Sequence, residues 1–194
     1  RTKGLREKIE KIPSYIFYSD PHANKWRQDY FLNNAFDYIL SFYYYPIRYH
    51  FSKIASDKII HFPWPIPDKW IGTEPIQYRQ GEYLNCFGGQ KHQAYMLRNW
   101  CRNFDFVEST TNSGCENKVM TEAEYIQWLG EKDACVAAGS DDVIYRLTVP
   151  KYYEIAAAGS LLFAQETDDL GLLGFTHGQN CLVFNRTNFE SLAR

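Results

Sequence analysis

Short apolar runs alternate with polar, glycine-containing stretches along the 194-residue chain. Short runs rich in Tyr, Phe, Ile, Val and Ala are typical of strands buried on both faces. Strands are predicted at residues 15–18, 36–42, 58–62, 83–87, 104–108, 134–138, 161–164 and 180–184. Helical patterns stand between several of these runs, and this alternation favours a parallel sheet. The chain is therefore predicted to be an α/β protein with a Rossmann-like parallel sheet and helices on both faces.

The stretch 148–169 shows this pattern most completely. Pro150 stands where a helix would begin, because its φ suits the first turn and it has no N–H to leave unpaired. A helix is expected over 151–158, and Gly159 is placed to take the left-handed conformation that ends it. The apolar run 161–164 follows at once, which is the helix–strand half of a βαβ unit.

Two other helix starts carry the spacing of a capping box, in which a Thr side chain and a Glu three residues later bond each other's backbone N–H. Thr121 and Glu124 predict a helix that ends at Gly130, and Thr187 and Glu190 predict a second one. The sequence stops about one turn into the second helix, as expected of a piece of a longer protein with further domains.

A proline-rich segment divides the chain. Pro63, Pro65 and Pro67 disfavour both helix and ladder pairing, and so predict an extended connection. We expect part of an N-terminal, acceptor-side α/β domain over 1–66, a linker over 67–82, and a C-terminal Rossmann-like domain over 83–194. The first part is too short for a full Rossmann half, so the N-terminal domain is predicted to be incomplete.

The composition excludes several classes of protein. A formal net charge of −2 is unlike a nucleic-acid binder, which is strongly basic. The sequence has no run of 18 apolar residues and no signal peptide, so neither a membrane span nor secretion is expected. The five cysteines are widely spaced without a C-x-x-C pair, which indicates neither a metal site nor a disulfide framework. A reducing cytoplasm is the expected location.

Candidate binding residues follow the predicted strands of the C-terminal domain. Parallel strands bring these loops to one edge of the sheet, where open α/β sheets bind ligands. Gly88, Gly89 and Lys91 follow the strand at 83–87 and are candidates for binding phosphates. Lys151 opposes the dipole of its helix, and Glu154 lies on the same face. A bound diphosphate explains the arrangement of Lys151 and Glu154, and an exposed ion pair is the alternative explanation.

Asp20 and His22 follow the predicted strand at 15–18. A polar loop at the end of such a strand is a common ligand site, so both residues are candidates for acceptor binding or for a general base. Alternatively, Asp20 is a turn residue before Pro21, and His22 is a surface residue.

The order of several of these residues resembles the C-terminal half of GT-B glycosyltransferases, closest to the group-1 and spore-maturation (CgeB-like) type. In that half, a helix with K/R-x-x-E, small residues and a glycine leads to a strand, then to a G-x-N/E element with a short strand, and then to a helix. The resemblance covers about residues 83–194 and is weaker before them. The matching residues are Lys151, Glu154, Gly159, Gly178, Asn180 and Leu182–Phe184.

This resemblance implies a metal-independent hexosyltransferase that moves a sugar from a nucleotide-diphosphate donor to the hydroxyl of a glycan or another acceptor. It needs no cofactor besides the donor substrate. Lys151 would stabilise the leaving diphosphate, Glu154 would hold the ribose or the sugar, and Arg146 would join the other donor-binding residues. Asp20 or His22 would be the base if the reaction inverts at the anomeric carbon.

The chain departs from this family at one position. Retaining group-1 enzymes carry two Glu eight positions apart, and here Arg146 stands eight before Glu154. The mechanism and the donor-sugar contact therefore stay open, as do two other functions. One is a non-catalytic nucleotide- or glycan-binding module of the same fold. The other is an unrelated doubly wound protein, such as a flavodoxin-like regulator, with a cofactor or an acidic metal cluster at 141–142 and 168–169.

Overall fold

The structure, a computed structural model, describes residues 12–23, 26–72, 84–88, 92–109 and 120–194. The chain divides into two compact units, Arg1–Pro63 and Trp64–Arg194, which we call unit 1 and unit 2. Both units contain parallel strands and helices, which confirms the predicted α/β class. The linker predicted at 67–82 lies partly outside the described residues, and the assignment of the two domains to acceptor and donor stays a prediction.

Unit 1 contains a parallel sheet whose described strands lie in chain order, β1-β2-β3. The elements are β1 (Tyr15–Tyr18), α1 (Trp26–Asn33), β2 (Tyr38–Ser41), α2 (Tyr45–His50) and β3 (Ile59–His61). Phe31 of α1 and Ile47 of α2 pack with Ile39 of β2, so both helices cover the same face of the sheet. On the other face, Tyr15 and Phe17 remain 47% and 46% exposed.

Unit 2 contains a larger parallel sheet with the described order β5-β4-β6-β7-β8. Its strands are β4 (Leu84–Cys86), β5 (Val107–Ser109), β6 (Ala134–Ala137), β7 (Leu161–Gln165) and β8 (Leu182–Phe184). All neighbouring pairs are parallel, so the carboxyl ends of these strands lie along one edge. The order of the strands reverses between β4 and β6, and ligands of doubly wound sheets bind at such a switch point.

Helices cover both faces of the sheet in unit 2. They are α3 (Met96–Cys101), α4 (Glu122–Gly130), α5 (Lys151–Ala157) and α6 (Phe189–Ala193). The side chains of β6 alternate between two cores, as strand geometry requires. Cys135 packs in the core that contains α4 and α5, whereas Val136 packs with Leu97 of α3 and Phe189 of α6.

Local sequence signals set several of these boundaries. The capping box of α4 is confirmed, because Thr121 N donates to Glu124 Oε2 at 2.7 Å and Glu124 N donates to Thr121 Oγ1 at 3.3 Å. Gly159 follows α5 with φ 82°, the predicted left-handed conformation. The capping box predicted at 187–190 is wrong. The Thr187 hydroxyl donates to Asn185 Oδ1 at 2.6 Å instead, and α6 begins without a side-chain cap.

Candidate functional site

The carboxyl edge of unit 2 carries four of the six predicted donor-binding residues, namely Gly88, Arg146, Lys151 and Glu154. Gly89 and Lys91 lie outside the described residues. Gly88 comes two residues after β4, is buried, and has φ 64°. This left-handed conformation suits glycine, which has no Cβ to clash where the chain leaves the strand.

Lys151, the first residue of α5, reaches the end of β4. Its Nζ lies 3.5 Å from the centroid of the Phe87 ring, and Phe87 is fully buried directly after β4. A cation over an aromatic face is stabilised by about 0.5–2 kcal/mol, depending on how far it is desolvated. This contact places the ammonium group at the switch point between β4 and β6.

Glu154 and Lys151 contact different residues. Its Oε2 accepts a hydrogen bond of 2.9 Å from the hydroxyl of Tyr125, a buried residue of α4. The Tyr125 ring lies 6.5 Å from that of Phe87, so one aromatic cluster contacts both predicted residues. No sequence signal marked Tyr125, because a tyrosine in an apolar helix stripe is typical of a core residue.

Gln165, the last residue of β7, fixes the loop that follows β6. Its side chain is 2% exposed; Oε1 accepts from Gly139 N at 2.7 Å, and Nε2 donates to Ser140 O at 2.6 Å. The hydroxyl of Tyr152 in α5 donates to the Gln165 carbonyl at 3.2 Å. These bonds tie β6, β7 and α5 together at the carboxyl edge.

The same loop also holds α3. The Gly139 carbonyl accepts from Leu97 N and Arg98 N, each at 3.1 Å, and Arg98 Nε donates to Ala138 O at 2.7 Å. A helix after a strand and a glycine turn can offer its first N–H groups to a phosphate. In α3 two of these groups are already bonded to the protein, so Leu97 and Arg98 have a structural role here.

A cleft of about 260 Å³ lies at the carboxyl ends of β6, β7 and β8. Arg186 forms a two-point ion pair with Asp141, and this guanidinium lowers the pKa of the Asp141 carboxyl. Arg146 also lines the cleft, and its buried Nε has no hydrogen-bond partner in the described part of the chain. An unpaired buried donor of this kind costs roughly 1–3 kcal/mol, and an oxygen of a ligand would satisfy it.

The two candidate residues of unit 1, Asp20 and His22, lie just after β1. Asp20 is exposed and accepts from the Ser19 hydroxyl at 3.0 Å. His22 belongs to a single 3₁₀ turn, Pro21–Ala23, and its ring centroid is 6.5 Å from that of His50. The turn predicted around Pro21 is present, and a role as general base stays a prediction.

The acidic pairs do not form a metal cluster in the described part of the chain, where no group of three or more His, Cys, Asp or Glu side chains is placed to hold an ion. Asp141 pairs with Arg186, and Asp142 Oδ1 accepts from Ile144 N at 3.0 Å.

None of the described helices is long and apolar enough to cross a membrane.

Comparisons with known proteins identify no family. A scan against protein-family models, a search of curated proteins and a search of solved structures each gave no significant match. The resemblance to GT-B glycosyltransferases therefore rests on the residues of this chain and stays a prediction.

Proposed function

We propose that unit 2 binds the diphosphate of a nucleotide-sugar donor at its carboxyl edge, and that the protein is a glycosyltransferase acting on an acceptor hydroxyl. The observation that carries the proposal is the position of Lys151 over Phe87, at the switch point of a doubly wound sheet. Arg146 adds a second cation at the same edge, and its Nε donor has no partner among the described residues. Fixed cations of this kind stabilise the negative charge that develops on a leaving diphosphate.

The other residues fit complementary tasks. Glu154 is oriented by the Tyr125 hydroxyl through one of its oxygens. A carboxylate offers about four acceptor positions, so it retains capacity for ribose or sugar hydroxyls. Gly88 allows the close approach of a ligand to the backbone, since no Cβ intervenes. The proposed chemistry needs no metal, because Lys151 and Arg146 supply the positive charge.

A non-catalytic nucleotide-binding module is the second candidate. One observation favours it: Arg146 stands where retaining group-1 enzymes have a Glu. Such a module would bind the nucleotide but would not transfer the sugar.

Thermal unfolding in the presence of UDP, GDP, ADP and their sugar conjugates tests the proposal. A ligand present at a hundred times its Kd should stabilise the protein by about 2.7 kcal/mol. Lys151→Met removes the charge but keeps an unbranched side chain over Phe87, and should abolish this stabilisation. Glu154→Gln keeps an acceptor for Tyr125 and should weaken binding of the ribose or the sugar.

Lys132→Met is the matched control for the charge. Lys132 also lies over an aromatic ring, that of Trp128 at 5.4 Å, but it comes just before β6 and hence at the opposite edge of the sheet. This variant should bind the nucleotide like the wild type. The donor site is refuted if no nucleotide stabilises the wild type. It is also refuted if nucleotide stabilises Lys151→Met and Lys132→Met to the same extent. Binding without transfer to any acceptor, and without donor hydrolysis, would favour the non-catalytic module.

A further inference from the structure

Unit 1 contains an arginine, Arg48, whose hydrogen-bond donors have no partner among the residues that the structure describes. The guanidinium carbon of Arg48, in α2, lies 3.4 Å from the centroid of the Tyr44 ring. Its Nε is buried and unpaired, and the described part of the chain gives Arg48 no hydrogen bond or ion pair. The residue as a whole is only partly buried. Since arginine has five N–H donors and cannot lose its charge, this arrangement calls for an acceptor.

The position of Arg48 directs these donors toward the carboxyl edge of the sheet. Helical side chains lean toward the N-terminus of their helix, and Arg48 accordingly reaches back over Tyr44, which comes just before α2. His61, the last residue of β3, meets the Tyr44 ring at a centroid distance of 5.8 Å. The carboxyl ends of β2 and β3 therefore converge on Tyr44, as expected of a ligand-binding edge.

A purely structural arginine in this protein behaves differently. Arg98 lies 4.8 Å from the centroid of the Tyr95 ring, and it also donates from Nε to the carbonyl of Ala138 at 2.7 Å. Arg48 has the same kind of ring contact without the carbonyl. Packing on Tyr44 therefore explains its orientation but leaves its donors unexplained.

We propose that Arg48, held on the ring of Tyr44, binds an oxyanion at the carboxyl edge of unit 1. Stacking fixes the plane of the guanidinium, and a guanidinium held in a fixed plane suits the two oxygens of a carboxylate or a phosphate. One further step rests on the proposed function. If the protein is a glycosyltransferase, the oxyanion belongs to its acceptor, which then carries a carboxylate or a phosphate.

Nuclear magnetic resonance of protein labelled with ¹⁵N at arginine Nε tests this site directly. The Arg48 signal is assigned as the one that disappears in Arg48→Lys. The wild type is then titrated with inorganic phosphate and, separately, with acetate, each against sodium chloride at matched ionic strength. We expect a saturable shift of the Arg48 signal, whereas the signal of Arg98, already bonded to Ala138, should not move.

The two anions distinguish the sources of the oxyanion. A response to phosphate alone supports a phosphorylated acceptor, and a response to acetate alone or to both supports a carboxylate-compatible site. No shift beyond that caused by chloride overturns the proposal. The titration itself uses the wild-type protein, and Arg48→Lys serves only to assign the signal. If that variant does not fold, the signal is assigned instead through its connectivity to the backbone amide of Arg48.

Lys58→Gln is the matched control for removal of a cation. Lys58 lies 5.2 Å from the centroid of the Tyr38 ring but directly precedes β3, at the opposite edge of the sheet. The Arg48 signal in this variant should respond to the anions as in the wild type; a lost response would point to general charge rather than to a site. Lys151→Met should also leave this response intact, so the oxyanion site and the nucleotide site can fail independently.

Discussion

Replacing Gln165 with leucine would remove the side chain that fixes the loop after β6. The amide makes two buried hydrogen bonds, to Gly139 N at 2.7 Å and to Ser140 O at 2.6 Å. Each backbone group left unpaired costs roughly 1–3 kcal/mol, and the added apolar surface of leucine offsets about 1 kcal/mol. We expect Gln165→Leu to lower the free energy of unfolding of unit 2 by about 3 kcal/mol, a large part of the total for a typical domain.

Urea unfolding and native-state hydrogen exchange measure this loss. The midpoint should fall at an unchanged m-value, and the Gly139 N–H should exchange faster than other amides near β6. Gln127→Leu is the control, because Gln127 is exposed on α4 and its side chain donates to Glu131 Oε1 at 3.2 Å, a surface hydrogen bond. Its effect should stay within about 0.5 kcal/mol.

Gln165→Glu separates the two bonds of the side chain. A protonated glutamic acid can still donate to Ser140 O, whereas a carboxylate would place a buried charge against that carbonyl. The folded-state pKa of Glu at this position should therefore be raised, so stability is present below the unfolded value of about 4.3 and is lost as the pH rises. Equal losses for Gln165→Leu and Gln127→Leu, or a Gln165→Glu variant as stable at pH 7 as at pH 4, would refute this account of the loop.

Three further changes test local features of unit 2. Thr121→Ala removes the cap of α4 and should cost about 1 kcal/mol, measured by urea unfolding, with faster exchange in the first turn. Gly174→Ala should lower the free energy of unfolding by about 1 kcal/mol, because the backbone φ of Gly174 is 79°. Gly171→Ala is its control: a Cβ has open space at both positions, so this variant should be neutral or stabilising. Asp141→Asn should lose stability at neutral pH. Arg186 lowers the pKa of Asp141, so the stability contributed by the carboxylate is lost as the pH falls below about 3.9. The difference in unfolding free energy between wild type and variant should therefore shrink at low pH, and a difference that stays constant would contradict this role of the ion pair.

The sequence determined much of unit 2 through signals that act between neighbours. Thr121 and Glu124 mark the start of α4, and Gly159 marks the end of α5, because capping and left-handed backbone depend on a few adjacent residues. The same kind of signal misled at Thr187, where Asn185 competes for the hydroxyl. No pattern predicted α1 or α2 of unit 1.

For the candidate site, the sequence indicated which residues to consider but not their partners. Lys151 and Glu154 are on one turn of α5, and their spacing fits both an ion pair and a ligand site. Only the fold directs Lys151 to Phe87 and Glu154 to Tyr125.

The strand order accounts for this difference. Glu154 and Tyr125 are 29 positions apart, and Gly139 and Gln165 are 26 apart, so no local pattern can report their contact. Pairing in the order β5-β4-β6-β7-β8 brings the ends of β4, β6 and β7 to one edge and thereby selects the partners. The apolar pattern of the sequence predicts which segments are buried strands, but it does not predict which strands are neighbours in the sheet. Local chemistry thus determined many of the elements, and tertiary packing decided the contacts around the candidate site.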